Sequence, residues 1–302
     1  MSNYGTIELE SYRLAAYTVP CPCYICGGGN NFDAELCRHC HAPMALAHQA
    51  NAQKIRPRSL AVIGGSGCGK TVYLGLLTDM LSRREDNLQL LARGAFSIEL
   101  QQHTMAALSQ CEFPGKTPVE PGRWHWIHCQ VLRKRRKATE LIMPDLSGES
   151  LLEEVDHPQT FPVIRAFLTK CSAAMILVDA PLAQAGDSDE DFHTMKLVSY
   201  LCELHQNNAA AWHTRPVAFV FTKADECDDC FADPAAFASR HTPGLAQQAK
   251  KRLGNHRYFA VGISGGTATR NEHHSRVKVP LRVEPRGIVE PFQWMLDQMG
   301  SG

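Results

Sequence analysis

Gly64, Gly65, Ser66, Gly67, Cys68, Gly69, Lys70 and Thr71 satisfy every fixed place of a G-x-x-x-x-G-K-[ST] loop, a spacing whose chemistry is the capture of phosphate. Its glycines let successive backbone N–H groups curl around an anion, and a helix leaving the loop adds partial positive charge. Lys70 would reach the terminal phosphates, and Thr71 would place its hydroxyl on Mg²⁺. The elements needed to hold such a loop flank it. Ser59-Leu60-Ala61-Val62-Ile63 predicts a buried strand running in. Thr71 to Leu77 predicts a helix running out, with Val72, Leu76 and Met80 on one face.

Further carboxylates stand at the ends of other apolar runs. Thr139 to Pro144 predicts a strand ending at Asp145, and Asp145-Leu146-Ser147-Gly148 makes D-x-x-G. Asp145 would hold Mg²⁺ through water, and the Gly148 N–H could sense a γ-phosphate. Pro216 to Phe221 predicts another buried strand, ending in Thr222-Lys223-Ala224-Asp225. In this T-K-x-D pattern the Asp225 carboxylate would accept hydrogen bonds from the ring N–H and exocyclic amine that guanine presents and adenine does not. The Lys223 stem would lie along the base, and adenine would leave the buried acceptor unpaired. Tyr258 to Ile263 predicts a strand running into Ser264-Gly265, either a backbone contact to the guanine carbonyl or a plain strand-end turn.

A mobile, phosphate-sensing segment belongs between the loop helix and Asp145. Phe113 to Pro118 reads as a loop, Trp124 to Arg133 alternates like a strand, and Ala95 to Cys111 has a helical pattern. Thr117 is the choice for a Mg²⁺-coordinating switch threonine, with Thr104, inside the helical pattern, as the fallback. Arg133-Lys134-Arg135-Arg136-Lys137 reads as a solvated hairpin tip, with a phosphate or partner patch as the alternative.

The N-terminal part carries a second chemistry. Cys23/Cys26 and Cys37/Cys40 are two CxxC pairs. Each can close a tight turn whose backbone N–H groups point at the sulfurs, and together they supply the four thiolates of a structural Zn²⁺ site. Cys21 is spare, and His39 and His41 are nearby substitutes. The segment holds few large apolar residues, so metal would supply most of its folding energy. A docking or structural role is favoured over nucleic-acid contact or a redox dithiol. Cys227-Asp228-Asp229-Cys230 reads as a surface loop, with a second metal half-site as the alternative.

Bulk properties narrow the class. The 302 residues carry 31 Lys+Arg and 31 Asp+Glu, so no global field draws the chain to nucleic acid or membrane. Its apolar runs are strand-length, short of the ~20 residues of a membrane span, and Met1 to Glu8 lacks the start of a signal peptide. Twelve cysteines beside a phosphate loop point to a reducing cytoplasm with metal-bound thiolates. Domain boundaries are expected at 1–45 (ribbon), 46–58 (linker with an Ala-rich, helix-compatible stretch) and 59–300. Within the last, Ala173 to Asp179 predicts a central strand. Asp191 to His205 predicts a helix with Phe192, Met195, Val198 and Leu201 facing the core. Thr242-Pro243 predicts a helix start that Gly254 ends, and His273-His274 read as solvent-facing.

With these pieces in order, the chain resembles a Ras-like GTPase of the translation-factor-related class, and its N-terminal part resembles a zinc ribbon. More narrowly, it is similar to the double-GTPase families of bacterial conflict systems, some of which join a cysteine-rich ribbon to such a domain. That narrower likeness rests on Lys116-Thr117-Pro118, on Asp145, Gly148 and Glu149, and on Val289-Glu290-Pro291-Phe292-Gln293-Trp294-Met295-Leu296. The resemblance implies an α/β fold, a mostly parallel sheet flanked by helices with GTP or GDP at the carboxyl ends of the strands. It also implies a protein effector or regulator, or a second GTPase subunit, as partner. Lys70, Thr117 and Glu149 are then the candidate catalytic residues. Glu149 replaces the Gln that orients water in efficient members. A carboxylate accepts from water but donates nothing to the transition state, so slow hydrolysis is expected unless a partner supplies an arginine. Ser66, at a place often held by Gly, points the same way; Arg123 is a candidate internal finger. The rival readings are a non-hydrolysing nucleotide-gated scaffold, an ATPase with an accidental guanine box, and a ribbon-led nucleic-acid module.

Overall fold

A computed structural model describes residues 20–52, 56–83, 87–186, 188–204, 211–227, 229–272 and 275–300. Met1 to Glu8, Asp228, His205 and the His273-His274 pair lie outside the described residues.

The strands that read as unbroken apolar runs form the centre of a seven-stranded sheet. Its order is β4 (Leu88–Ala92), β5 (Trp126–Arg133), β6 (Thr139–Pro144), β3 (Arg58–Gly64), β7 (Ala173–Asp179), β8 (Val217–Thr222) and β9 (His256–Ala260). Pairing is parallel from β6 through β9 and antiparallel at β4–β5 and β5–β6. A parallel sheet is covered on both faces, so its strands must be apolar on both. Alternate residues divide accordingly. Ala61, Ile63, Ile176, Phe219 and Phe221 enter one buried cluster, while Leu60, Val62, Met175, Ala218 and Val220 enter the other. The second face is roofed by helices Lys70–Ser82, Phe96–Ser109 and Val289–Met299, which contribute Leu74, Leu100 and Phe292. The first is covered by helices Gly148–Asp156, Pro162–Lys170 and Ser188–Glu203.

Three sequence expectations are corrected. Phe192 does not face the core: it is 58% exposed, while Val198 and Leu201 of the helix Ser188–Glu203 are buried as expected, joined by Leu197. The segment after Ala260 is neither a turn nor a strand end. Gly262–Glu272 and Ser275–Arg286 form a long antiparallel hairpin, β10–β11, outside the main sheet. The run at Cys227 and Cys230 is not a surface loop either, since both sulfur-bearing residues are buried in the first cluster.

Thr242 precedes the helix Pro243–Arg252 as expected but does not cap it. Its hydroxyl donates back to the Ala238 carbonyl at 3.1 Å. The cap comes from another helix: the Asp191 carboxylate accepts from Gly244 N at 3.0 Å and Leu245 N at 2.8 Å. Asp191→Ala is therefore expected to cost about 1–2 kcal/mol, read as a lower thermal midpoint. An unchanged midpoint would count against this capping role.

The N-terminal module packs on the same core. A two-residue ladder, β1 (Cys21–Pro22) with β2 (Gly29–Asn30), organises it, and the helix Met44–Ala52 follows. Ile25, Met44, Leu46 and Ala47 are buried in one cluster with Trp126, Ile164 and Phe167. Tyr24 meets Trp126 edge-on at 6.5 Å, and Trp126 meets Phe167 edge-on at 5.9 Å. The stretch read as a linker thus begins with a helix whose apolar side is buried against the domain.

Candidate functional site

β3 lies between β6 and β7, and the connection leaving β3, through the helix Lys70–Ser82, covers one face of the sheet while that leaving β6, through Gly148–Asp156, covers the other. That reversal opens a crevice at the carboxyl ends of the strands. A cavity of about 510 Å³ occupies it, lined from Ser66, Gly67, Gly69, Lys70 and Thr71 at one end to Thr222, Lys223 and Asp225 at the other.

The loop leaving β3 turns through Gly67 at φ 77° and Gly69 at φ 88°, a region that residues with a Cβ seldom enter. Lys70 opens the helix and its ammonium spans the loop, donating to the carbonyls of Gly64 at 3.1 Å and Gly65 at 2.8 Å. Cys68 is buried beneath, its sulfur 3.8 Å from the ammonium. Burial pushes its thiol up, against the pull of Lys70, so it serves as an inert packing group rather than a nucleophile.

The three residues expected to share a cation converge. Thr71 Oγ1 lies 2.9 Å and Thr117 Oγ1 3.0 Å from Asp145 Oδ2, with the two hydroxyls 3.1 Å apart. Asp145 is 1% exposed, and its Oδ1 is buried with no hydrogen-bond partner. Burial pushes its carboxyl up from the usual range, partly offset by Lys70 and the two threonines. An oxygen-rich, under-neutralised pocket of this kind fits a hard divalent cation such as Mg²⁺. Thr104, the fallback, is elsewhere: it is fully buried between helices, against Gly75.

Gly148 starts its helix where a Cβ would stand 2.6 Å from Gly65 C and from Ser66 N. Backbone faces backbone there, with no side chain to give way. Gly148→Ala is expected to impose about 1–3 kcal/mol of overpacking, reading as a weakened affinity for phosphate ligands with the circular-dichroism melt retained. Full affinity in the variant would contradict the close approach. The neighbouring Glu149 accepts from Ser66 Oγ at 3.2 Å and pairs with Lys116 at 3.3 Å. Arg123 lies in a short turn, Pro121–Arg123, and does not line the cavity.

At the far end, Lys223 adopts a left-handed conformation, φ 53°, and Asp225 follows in the turn Ala224–Glu226. Ala224 N donates to Val261 O at 3.0 Å, tying the turn to the last strands. Gly262 sits against Asp225 so closely that a Cβ would stand 2.5 Å from Oδ1. Lys223 forms an ion pair with Asp179. Ser264 lines the cavity, but Gly265 does not; it packs against Glu284 in the hairpin.

Sequence reasoning missed several lining residues. Asp179 ends the central strand and also caps the next turn, accepting from Leu182 N at 3.2 Å. Its own N–H donates to buried Glu190 at 2.9 Å. Its place at a strand's carboxyl end was the available signal. Ile263, Thr267 and Lys278 enter from the hairpin. The period-two alternation of Val277, Val279, Leu281 and Val283 could have revealed that hairpin.

The four cysteines Cys23, Cys26, Cys37 and Cys40 form a second site, every sulfur within 4.8 Å of the others. A tetrahedral zinc with Zn–S of about 2.3 Å sets its sulfurs about 3.8 Å apart. Here Cys23 and Cys40 are 3.8 Å apart, and Cys26 and Cys37 3.6 Å. Gly28 N points at Cys26 Sγ (3.3 Å) and His39 N at Cys37 Sγ (3.4 Å), the thiolate-stabilising turns expected of CxxC pairs. The hydrogen bond shared by Cys23 and Cys40 pulls the Cys23 thiol down and pushes the Cys40 thiol up, so one of the two gives up its proton first. Cys21 stands apart, in contact with His48 and Asn51. The donor set fits zinc. Among the described residues it is the only such cluster, and no helix is long and apolar enough to cross a membrane.

The family model described as Double-GTPase 1 matches residues 61–194. Similar solved structures include a small COPII coat GTPase, ADP-ribosylation-factor-like, from Encephalitozoon cuniculi in complex with GDP. It has 14% identity and a TM-score of 0.39, with 81% of each chain covered. A nucleolar GTP-binding protein 1 from Plasmodium falciparum has 10% identity and a TM-score of 0.38, over 81% of this chain and 87% of that one. A bacterial selenocysteine-specific elongation factor has 14% identity and a TM-score of 0.35; 68% of this chain aligns with 25% of that factor. Among curated proteins, no sequence matches.

Proposed function

We propose that this chain, which matches the Double-GTPase 1 family model over residues 61–194 and carries an N-terminal four-cysteine module, is a P-loop GTP-binding switch with slow Mg²⁺-dependent hydrolysis that regulates a protein partner. One observation carries the reading. Thr71, Thr117 and Asp145 meet within 3.1 Å of one another in a cavity that continues to Asp225. A loop threonine is thus held beside the phosphate loop by the groups that would share its cation.

Mg²⁺, when bound, would neutralise charge developing on the phosphates. This chain's own residues do the rest. Lys70 would exchange its loop carbonyls for terminal phosphate oxygens, and the loop N–H groups would orient them. Asp225 would select guanine. Loss of a γ-phosphate would release Thr117 and Gly148, and so reorder the segments that carry them.

Glu149 favours slow turnover. Its carboxylate is held by Ser66 and Lys116, and it cannot donate to the transition state. Lys116 offers a cationic group in cis, while a partner arginine or a second GTPase subunit would supply the missing one. That requirement suits a regulated switch of the conflict-system kind in a cytoplasmic setting. The same Glu149 supports the second reading, a nucleotide-gated scaffold that does not hydrolyse.

Single-turnover hydrolysis of labelled GTP by wild type and Lys70→Ala separates these. Slow product formation that vanishes in the variant supports the switch, and none in either supports the scaffold. Equal binding of ATP and GTP would remove the GTP-specific switch and leave a phosphate loop without base selection.

A further inference from the structure

At the opposite end of the sheet, where β3 begins, a second cleft of about 380 Å³ gathers five basic side chains. Arg56 and Arg58 come from the start of β3, and Arg133, Arg136 and Lys137 from the β5–β6 hairpin. The fourth wall is the carboxyl end of the helix Val289–Met299.

Part of this charge has an internal task. Arg58 Nη1 donates to the Met299 carbonyl at 2.8 Å and Arg133 pairs with Asp297 at 3.1 Å, as cations do at a helix's negative end. That use does not exhaust it. Among the described residues, Asp297 is one carboxylate against these five cations. Glu140, which also lines the cleft, pairs through Oε1 with Arg93 at 3.0 Å and accepts there from Gln130 at 2.9 Å, while its Oε2 is buried with no hydrogen-bond partner. Arg133 Nε is buried with no hydrogen-bond partner. Burial and the neighbouring Arg136 and Arg58 push the Arg133 guanidinium down from its ordinary range. Like charges so gathered destabilise the fold unless something neutralises them.

We propose that this cleft binds a small, multiply charged phosphate-bearing anion. Guanidinium forks match phosphoryl oxygens in pairs. Among the described residues, five cations face only the carboxylates of Glu140 and Asp297, and that excess of positive charge calls for a ligand carrying several negative ones. The volume of about 380 Å³ falls in the range of small-molecule pockets, about 300–1,000 Å³. The cleft is separate from the phosphate loop, which leaves the other end of β3. The solvated-tip reading of Arg133 to Lys137 therefore holds for only part of the run: Arg133 is 12% exposed.

Inorganic pyrophosphate, titrated by calorimetry into the full chain, tests this. Wild type, Lys70→Ala and the double variant Arg136→Ala/Lys137→Ala are compared. The two tip side chains are exposed, and Arg56→Glu on the opposite wall serves as a second variant should the double one melt early. The expected result is a binding event that survives Lys70→Ala and weakens about tenfold or more when the cleft cations are removed. An event lost in Lys70→Ala and untouched by both cleft variants would assign all the binding to the phosphate loop and overturn the proposal. So would binding of anionic vesicles or oligonucleotides, with no pyrophosphate bound, through the same cations. Because each site has its own variant, failure here leaves the GTP reading standing, and the converse also holds.

Discussion

Asp225→Asn is expected to lower GTP affinity by about 10²–10⁴-fold, through loss of two charge-assisted hydrogen bonds, and to raise affinity for xanthosine triphosphate. The argument is one of complementary donors. A carboxylate offers acceptors only, matching the ring N–H and amine of guanine. An amide offers one acceptor and one donor, matching xanthine, whose carbonyl stands where guanine has the amine. The effect is large because Asp225 is not free to adapt. The left-handed Lys223 on one side, the Ala224–Val261 hydrogen bond and the close approach of Gly262 on the other fix its turn. Titration of fluorescent GTP, ATP and xanthosine triphosphate against both proteins reads the outcome. Equal affinity for GTP and ATP, unmoved by the substitution, would leave a phosphate loop with no base specificity.

Cys37→Ser, or removal of zinc by a chelator, is expected to undo the N-terminal module and to destabilise the domain beneath it. Structural zinc contributes about 10–16 kcal/mol of apparent binding energy to small modules of this kind, and this one has no core of its own. Its Ile25, Met44 and Leu46 are buried against Trp126, Ile164 and Phe167 of the domain. Each such side chain returned to water costs about 1.5–3 kcal/mol, so loss of the module lowers the melting midpoint of the domain as well. The readouts are metal content, the thermal midpoint and the near-ultraviolet signal of Trp126, against which Tyr24 packs. A chelated protein that keeps its midpoint and that signal would show the module to be a passive appendage.

Much of the fold was legible, and the reason is the parallel sheet. Strands covered on both faces must be continuously apolar, so β3, β7 and β8 stand out from the chain with boundaries close to those observed. β4 was not legible. It is a short edge strand whose Leu91 is exposed, and its pairing with β5 is set by a partner far along the chain. The β10–β11 hairpin escaped because Ser264-Gly265 at its start also read as a strand-end turn, whereas register shifts between Gly262 and Thr267 absorb these residues within the ladder. Phe192 was assigned inward by its spacing with Met195 and Val198. Val198 and Leu201 do face inward and Met195 packs beside them, but near the start of the helix Phe192 falls outside the covered face, which periodicity alone does not reveal.

By itself, the sequence determined the kinds of chemistry present. The loop from Gly64 to Thr71, the D-x-x-G at Asp145, the T-K-x-D at Asp225 and the paired CxxC turns are local patterns. Dihedral needs and donor geometry within a few residues dictate their composition. Tertiary structure alone decided which distant groups complete them. It brought Thr117 rather than Thr104 to Asp145, paired Lys223 with Asp179, drew the cap of one helix from Asp191 on another, and gathered Arg56, Arg58, Arg133 and Arg136 into one cleft. These are contacts between segments far apart in the chain, made only when both faces of the sheet are packed. No spacing along the sequence records which of several equivalent side chains the packing will bring within reach.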